Sequence, residues 1–449
     1  MDVEARLRAA MEADDRDAVW GALEPLAELT RTDARVARLW AEALRTSPDR
    51  PALVDEAAAI LEAWPADVGI VGAACDALVR REARRPVDEP PLDPRAGALA
   101  AEAAGRCLAR QPQASRLDPD VGGALLALKG NALATLGPGR LADAAAALDA
   151  ALALAPRASW LFDLGLVHKR ARDWPAALDA NRRARALAGD AHRGVLFNLA
   201  LAATAVGEGA LARDAWRAVG IDADAREGAL PFVEGLPPAE VRLPTRGDDA
   251  AVEATLPAES AGFEIVWVQP LSPCHGVVRS PTHREAVADF GDVILFDPAP
   301  VAVVARDGEP TPRFAFLGRL RAGDERRFRF LALEQEAGQV RRLADALPDG
   351  VILYPHAERV EMVCPRCAAG DRYTKHDHLP PEAHRVVFGK LLAPGAQDLA
   401  ALRDAIERAA KAQPGVLLAI PSLYEALGDT PSAGKHHKRW GAIARAAAA

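Results

Sequence analysis

The 449-residue sequence predicts an α-helical solenoid followed by an α+β C-terminal region. Three observations carry that reading. Residues 1–230 repeat apolar positions at three- and four-residue spacing, with Ala the commonest residue and Gly and Pro mainly at breaks, the pattern of helix after helix. Pro231, Pro237, Pro238 and Pro244 then crowd residues 231–249, a composition that marks a boundary. Beyond it the texture changes: eight of the ten His, all three Tyr and nine of the eleven Phe follow residue 230, among β-branched and aromatic runs that read as strands. The expected organisation is a helical array over 1–230, a Pro-rich linker over 231–249, a small mostly β subdomain over 250–325 and an α+β subdomain with a C-terminal helix over 326–449.

Composition excludes several classes. Half of the chain is apolar and 26% is charged, so it can bury a sizeable core and is neither globally disordered nor a disulfide-stapled miniprotein. No apolar run reaches the roughly 18–20 residues of a membrane span. Met1-Asp2-Val3-Glu4-Ala5-Arg6 is polar and acidic where a secretory leader is basic and then apolar. With only five Cys, a reducing cytoplasm is the expected compartment. Seven of the 55 basic residues are Lys, an Arg- and Ala-rich bias typical of a GC-rich bacterial genome and read here without functional meaning. The net charge of −8 argues against nucleic acid, which is held by neutralising phosphates. Cys75 and Cys107 lie in Ala-rich helical pattern and are expected to be small buried hydrophobes.

Within the helical half a period is visible. Gly130, Gly165 and Ala200 are each separated by 35 residues, within one residue of the 34-residue helix–turn–helix repeat. One unit supplies Gly130, Ala144, Leu148, Ala151 and Pro156, with extra residues in the Gly137-Pro138-Gly139 turn. The next supplies Gly165, Ala177, Asn181 and Ala184, with Gly189 where Pro is usual. The third supplies Ala200, Ala212 and Trp216 and then loses the pattern. On these residues the chain resembles the tetratricopeptide repeat (TPR) family, most clearly over 120–226 and more weakly over 1–115, where Ala34–Pro65 has the right length and a Pro end. Arg80–Pro94 reads as a loop between arrays. The resemblance implies a curved solenoid whose first helices line a groove for an extended peptide or a partner helix. It places Asn131, Phe162, Lys169, Arg170 and Phe197 in that groove. The bland alternative is an array that docks only on its own C-terminal region.

After the boundary, Gly262–Val268, Asp292–Phe296 and Val301–Val304 read as strands of a small, mostly antiparallel sheet or barrel, with Ser272–Gly276 and Ser280–Thr282 as turns. Residues 326–421 contain an internal echo. Arg327–Leu333, the helical Gly338–Leu347 and Gly350–Pro355 are answered by Arg385–Lys390, the amphipathic Gln397–Ala412 and Gly415–Pro421. Two β-α-β units in tandem suggest a ferredoxin-like sandwich, a fold that hosts many unrelated functions.

The sharpest chemical signal joins the two units. Cys364-Pro365-Arg366-Cys367 precedes His376-Asp377-His378, a set that can complete a tetrahedral Cys₂His₂ zinc site, structural because no position stays open. Asp377 could orient an imidazole instead. A redox pair would prefer a helix start, whereas Ala368-Ala369-Gly370-Asp371 follows; two unligated thiols in a loop is the remaining alternative. Cys274-His275, with His283 beyond, reads as a turn, and less well as a nucleophile–base pair or a metal ligand. His356 and His384 flank corresponding strands and could face one edge. Lys435-His436-His437-Lys438-Arg439-Trp440 is the one dense basic cluster, a solvated helix face or an anionic-partner site anchored by Trp440. Phosphate-loop, dinucleotide and nucleophile-elbow motifs are missing from the sequence. The expected function is therefore a cytoplasmic protein-interaction scaffold or adaptor, with no catalytic residues assigned. The alternative is an enzyme whose active site lies in residues 250–449 and whose array recruits substrate.

Overall fold

A computed structural model describes residues 10, 13, 15–83, 92–111, 118–225, 230–245, 262–283, 285–306, 308–363 and 382–447. The chain divides into two compact units, Met1–Glu234 and Gly235–Ala449. Among the described residues, no helix is long and apolar enough to cross a membrane.

The first unit is built of helices α1 (Arg16–Leu23), α2 (Ala34–Thr46), α3 (Leu53–Ala63), α4 (Val68–Ala83), α5 (Pro94–Arg110), α6 (Pro119–Thr135), α7 (Leu141–Leu154), α8 (Ala158–Ala171), α9 (Trp174–Ala188), α10 (Arg193–Ala205) and α11 (Gly209–Ala218). Asp15, Asp33, Asp93, Asp118 and Asp173 each cap a helix start by accepting a backbone N–H, and Pro94 and Pro119 occupy first-turn positions where no N–H is needed. From α2 on, each helix packs on the next, as in a stack of helical hairpins, and an Ala- and Leu-rich core runs from Val19 to Val195. Close approach explains the sequence period. A Cβ on Gly130 would lie 2.8 Å from Leu148 Cγ and 3.0 Å from the Ala144 carbonyl, and one on Gly165 would lie 2.5 Å from Asn181 Nδ2. Cys75 and Cys107 are fully buried, and burial pushes the Cys75 thiol up to about 12, so it behaves as an inert apolar side chain. The loop expected over Arg80–Pro94 is shorter than read: α4 continues to Ala83, and Pro94 opens α5.

The stretch expected as a linker carries structure. A short pair, β1 (Asp224–Ala225) and β2 (Pro231–Phe232), closes the first unit, and β3 (Ala239–Pro244) is the first strand of a barrel. With β4 (Phe263–Ser272), β5 (His275–Val278), β6 (Val293–Arg306) and β7 (Glu309–Arg321) it forms a closed five-stranded barrel. Consecutive strands are antiparallel, and an odd number closes through one parallel pair, β3 with β7. Val241, Val266, Val268, Ile294, Phe296 and Phe316 fill it. Two expectations need correction. Ser272–Gly276 is only a tight turn, and His275 and Gly276 already pair in β5. Asp292–Phe296 and Val301–Val304 are parts of one strand, in which Pro298 and Pro300 sit at register shifts that spare the ladder the missing N–H groups.

The remaining elements follow in the order β8 (Arg326–Glu334), α12 (Gln339–Asp345), β9 (Ile352–Val363), β10 (Glu382–Ala393), α13 (Leu399–Lys411), β11 (Leu417–Ala419), α14 (Pro421–Ala426) and α15 (Thr430–Ala447). The four strands form an antiparallel sheet in the order β11-β8-β10-β9. Phe328, Phe330, Leu353, Val387 and Leu391 bury one face under α12, α13 and α14. Leu331, Leu333, Val386 and Phe388 meet Ile443 and Trp440 of α15 on the other. Gly389 sits at the register shift between β10 and β9, where a Cβ would lie 2.1 Å from the Tyr354 carbonyl and 2.6 Å from the Phe330 ring. The strand expected at Gly350–Pro355 extends on to Val363.

Candidate functional site

The five groove residues of the first unit do not form one continuous surface. Asn131 on α6 donates from Nδ2 to Asp163 Oδ2 on α8 at 2.8 Å, and Lys169 Nζ reaches Asn198 Oδ1 on α10 at 3.5 Å. These side chains are half-buried and link the first helices of successive hairpins. Burial raises the Asp163 carboxyl above its ordinary range, against the Asn131 hydrogen bond and the Arg170 charge. Phe162 packs on His192, the N-cap of α10, with ring centroids 5.1 Å apart. The other two turn elsewhere. Arg170 donates to the Ala134 carbonyl and lines a small pocket with Glu82, Thr135 and Leu141, while Phe197 meets the buried Trp216 edge-on at 5.2 Å. Consecutive helical residues point about 100° apart, so Lys169 and Arg170 form no basic pair.

Cys364, Cys367, His376 and His378 lie outside the described residues. Among the described residues, no group of three or more His, Cys, Asp or Glu side chains is arranged to hold a metal ion. Cys274 and His275 are buried in the β4–β5 turn beside Ser272. Ser272 Oγ lies 2.6 Å from His275 Nδ1, and it also accepts the Cys274 N–H at 3.3 Å. Burial lowers His275 to about 4, so this imidazole is neutral near pH 7. That closed, dry arrangement fits a turn lock rather than a nucleophile and its base. The register also separates the other His pair, because His384 stands opposite Glu361, well along β9 from His356.

Where barrel and sheet meet, the second unit holds a constellation that sequence reading missed. On the sheet face opposite α12 and α13, Lys390 of β10 stands between Arg329 of β8 and Tyr354 of β9. Like charges directly opposite on a sheet are destabilising unless something compensates them. Compensation comes from the β5–β6 connection of the barrel. Lys390, its side chain 94% buried, donates from Nζ to an Asp289 carboxylate oxygen and, at 2.6 Å, to Thr282 Oγ1. The other Asp289 oxygen accepts the backbone N–H groups of Thr282 and Phe290. Asp292, fully buried, accepts from Arg327, Gly323 N–H and Asp289 N–H. Burial lowers the Lys390 pKa, opposed mainly by Asp289. Beside it His283 and His356 stack with centroids 4.2 Å apart, and burial, His283, Lys390 and Arg329 together push His356 down to about 2. The His356 Nε2 atom is buried and accepts or donates no hydrogen bond among the described residues. A cleft of about 250 Å³ opens here, lined by Glu285, Asp289, Asp292, Arg319, Arg327, Arg329 and Lys390.

The C-terminal basic cluster is divided by packing. His436 accepts the Ile420 N–H and stacks on Tyr424, Arg439 donates to the Leu418 carbonyl, and Trp440 meets Phe388. Trp440 therefore anchors α15 to its own sheet. One sequence signal for the cleft existed, the alternation Arg327-Phe328-Arg329-Phe330, which puts Arg where a two-faced buried strand would carry apolar residues. No protein-family model matches the chain, and no curated protein matches it.

Proposed function

We propose that the chain is a protein-interaction scaffold, in which a TPR-like array holds an extended peptide or partner helix and the second unit is a further recognition module. The observation that carries this reading is the polar row along successive first helices: Asn131 bonded to Asp163, and Lys169 to Asn198. Half-buried amides and charges at repeat spacing suit the backbone of an extended peptide, which offers donors and acceptors at a regular interval. The TPR-like assignment is supported by the tight helix approaches at Gly130 and Gly165. Within the second unit, residues 326–449 are read as a ferredoxin-like module, supported by its β-α-β-β-α-β order and by the strand order β11-β8-β10-β9. Its β9 leaves at Val363 and β10 returns at Glu382 directly opposite, so the segment with Cys364, Cys367, His376 and His378 springs from paired strand ends. Those four residues would hold one structural zinc ion.

The test is selection of a peptide library against the full chain, followed by affinity measurement with an Asn131→Ala, Lys169→Ala variant. A selected peptide should lose about ten-fold or more in affinity, the size expected for lost hydrogen bonds to charged or amide groups. Equal affinity would remove the groove from the reading. For the metal, purified protein should carry about one zinc per chain, lost in the Cys364→Ser, Cys367→Ser variant; a metal-free, stable wild type would refute it.

A further inference from the structure

We propose that the peptide held along the first helices of the array places a lysine or arginine side chain against Asp163. This names the partner chemistry of the groove and rests on the groove reading above. Charge accounting leads there. Asp163 of α8 is half-buried, and among the described residues it makes no ion pair; its one hydrogen bond comes from the neutral Asn131 amide. The charges that reach it do not meet it directly. Arg170 donates to the Ala134 carbonyl and lines the pocket with Glu82, and Lys169 reaches Asn198. Asp76 of α4, paired with Arg80 one turn on, adds a like charge. Desolvation therefore wins, and it holds the Asp163 carboxyl above its ordinary range. An amide satisfies a carboxylate lone pair without neutralising the charge; a guest cation does both.

A second observation points to the same guest. Phe162, the preceding residue, is half-buried and packs on His192, and His192 is close enough to act electrostatically on Asp163. An aromatic ring beside an unpaired carboxylate suits Lys or Arg, whose stem lies along the ring while the charged head meets the acid. An acidic guest would meet Asp163 with like charge. An apolar one would desolvate the carboxylate further and leave it uncompensated, so the position selects by penalty as well as by attraction.

Affinity measurement on the full chain tests it, using extended peptides selected from a random library. In the strongest of them, each lysine or arginine is replaced in turn by glutamine or glutamate. One basic position should stand out: glutamine there should weaken binding about ten-fold or more, and glutamate should weaken it further. In an Asp163→Asn variant, which keeps an oxygen acceptor for Asn131, the same glutamine replacement should cost less than about two-fold. A purely packing role for Asp163 would instead weaken basic and glutamine peptides equally, and would overturn the inference. The peptide series on the wild-type chain decides the matter even if the variant fails to fold. Selected peptides without a basic residue, glutamine tolerated at every basic position, or a glutamine loss unchanged in Asp163→Asn would also overturn the inference, while leaving groove binding in place. No peptide bound at all would remove both.

Discussion

The two units solve the burial of charge in opposite ways. Among the described residues of the first unit, Glu82 is the one buried charged side chain, and ion pairs such as Arg106–Glu102 and Arg183–Asp179 lie on exposed helix faces. The second unit buries Glu240, Glu264, Asp292, Asp297, Glu334 and Lys390. An Ala-packed helical stack gains stability from many small apolar contacts between sequence neighbours. The barrel and sheet depend on a few charged contacts between residues about a hundred positions apart, such as Lys390 with Asp289 and Thr282. The exposed charges of the first unit are therefore replaceable, and the buried ones of the second are not, because removing one partner leaves the other buried and uncompensated.

The largest effect should come from Lys390→Met, which keeps the volume and removes the charge facing Asp289. It should cost about 3 kcal/mol or more, read as a lower urea midpoint with hydrogen exchange speeding first in β8 and β10. In the array, Gly130→Val forces side-chain carbon against Leu148 and the Ala144 carbonyl, and should cost about 2–3 kcal/mol in thermal unfolding. A loss below about 0.5 kcal/mol, the size of an ordinary surface substitution, would mean that α6 and α7 do not close on that glycine. Acid separates the units next. His275 folds neutral with its pKa lowered to about 4, so the unfolded chain takes up the proton first as pH falls below 6.5. Its contribution is complete above pH 6.5 and is lost towards pH 4, about 2 kcal/mol between pH 7 and pH 5. The loss should appear in the second unit and shrink by about that amount in His275→Asn, with His356 and His436, lowered to about 2 and about 4, supplying the rest; a first unit equally sensitive over that range would contradict the assignment. Smallest of all is Glu102→Ala, whose exposed pair with Arg106 should change stability by less than about 0.5 kcal/mol.

The same contrast decides what was legible in the sequence. Gly130, Gly165 and Ala200 announced the hairpins because helix period and repeat length are local properties, and the tandem β-α-β pattern was readable for the same reason. The barrel was half seen. Its β7 and the pairing of β3 inside a Pro-rich stretch depend on closure across some seventy residues, with Glu240 opposite Arg313. The cleft was missed because Asp289, Asp292, Arg327 and Lys390 share no motif and no spacing; tertiary pairing alone assembles them. His275 and Trp440 drew attention as rare residues in marked contexts, and packing on Ser272 and Phe388 accounts for both.

The central claim is that partner recognition lies on the first helices of the array. Hydrogen exchange of the full chain, with and without a selected peptide, tests it most directly. The account predicts added protection in α6, α8 and α10, around Asn131, Asp163 and Asn198, with β8 and β10 unchanged. Protection confined to the barrel and sheet, with those three helices unaffected, would contradict it.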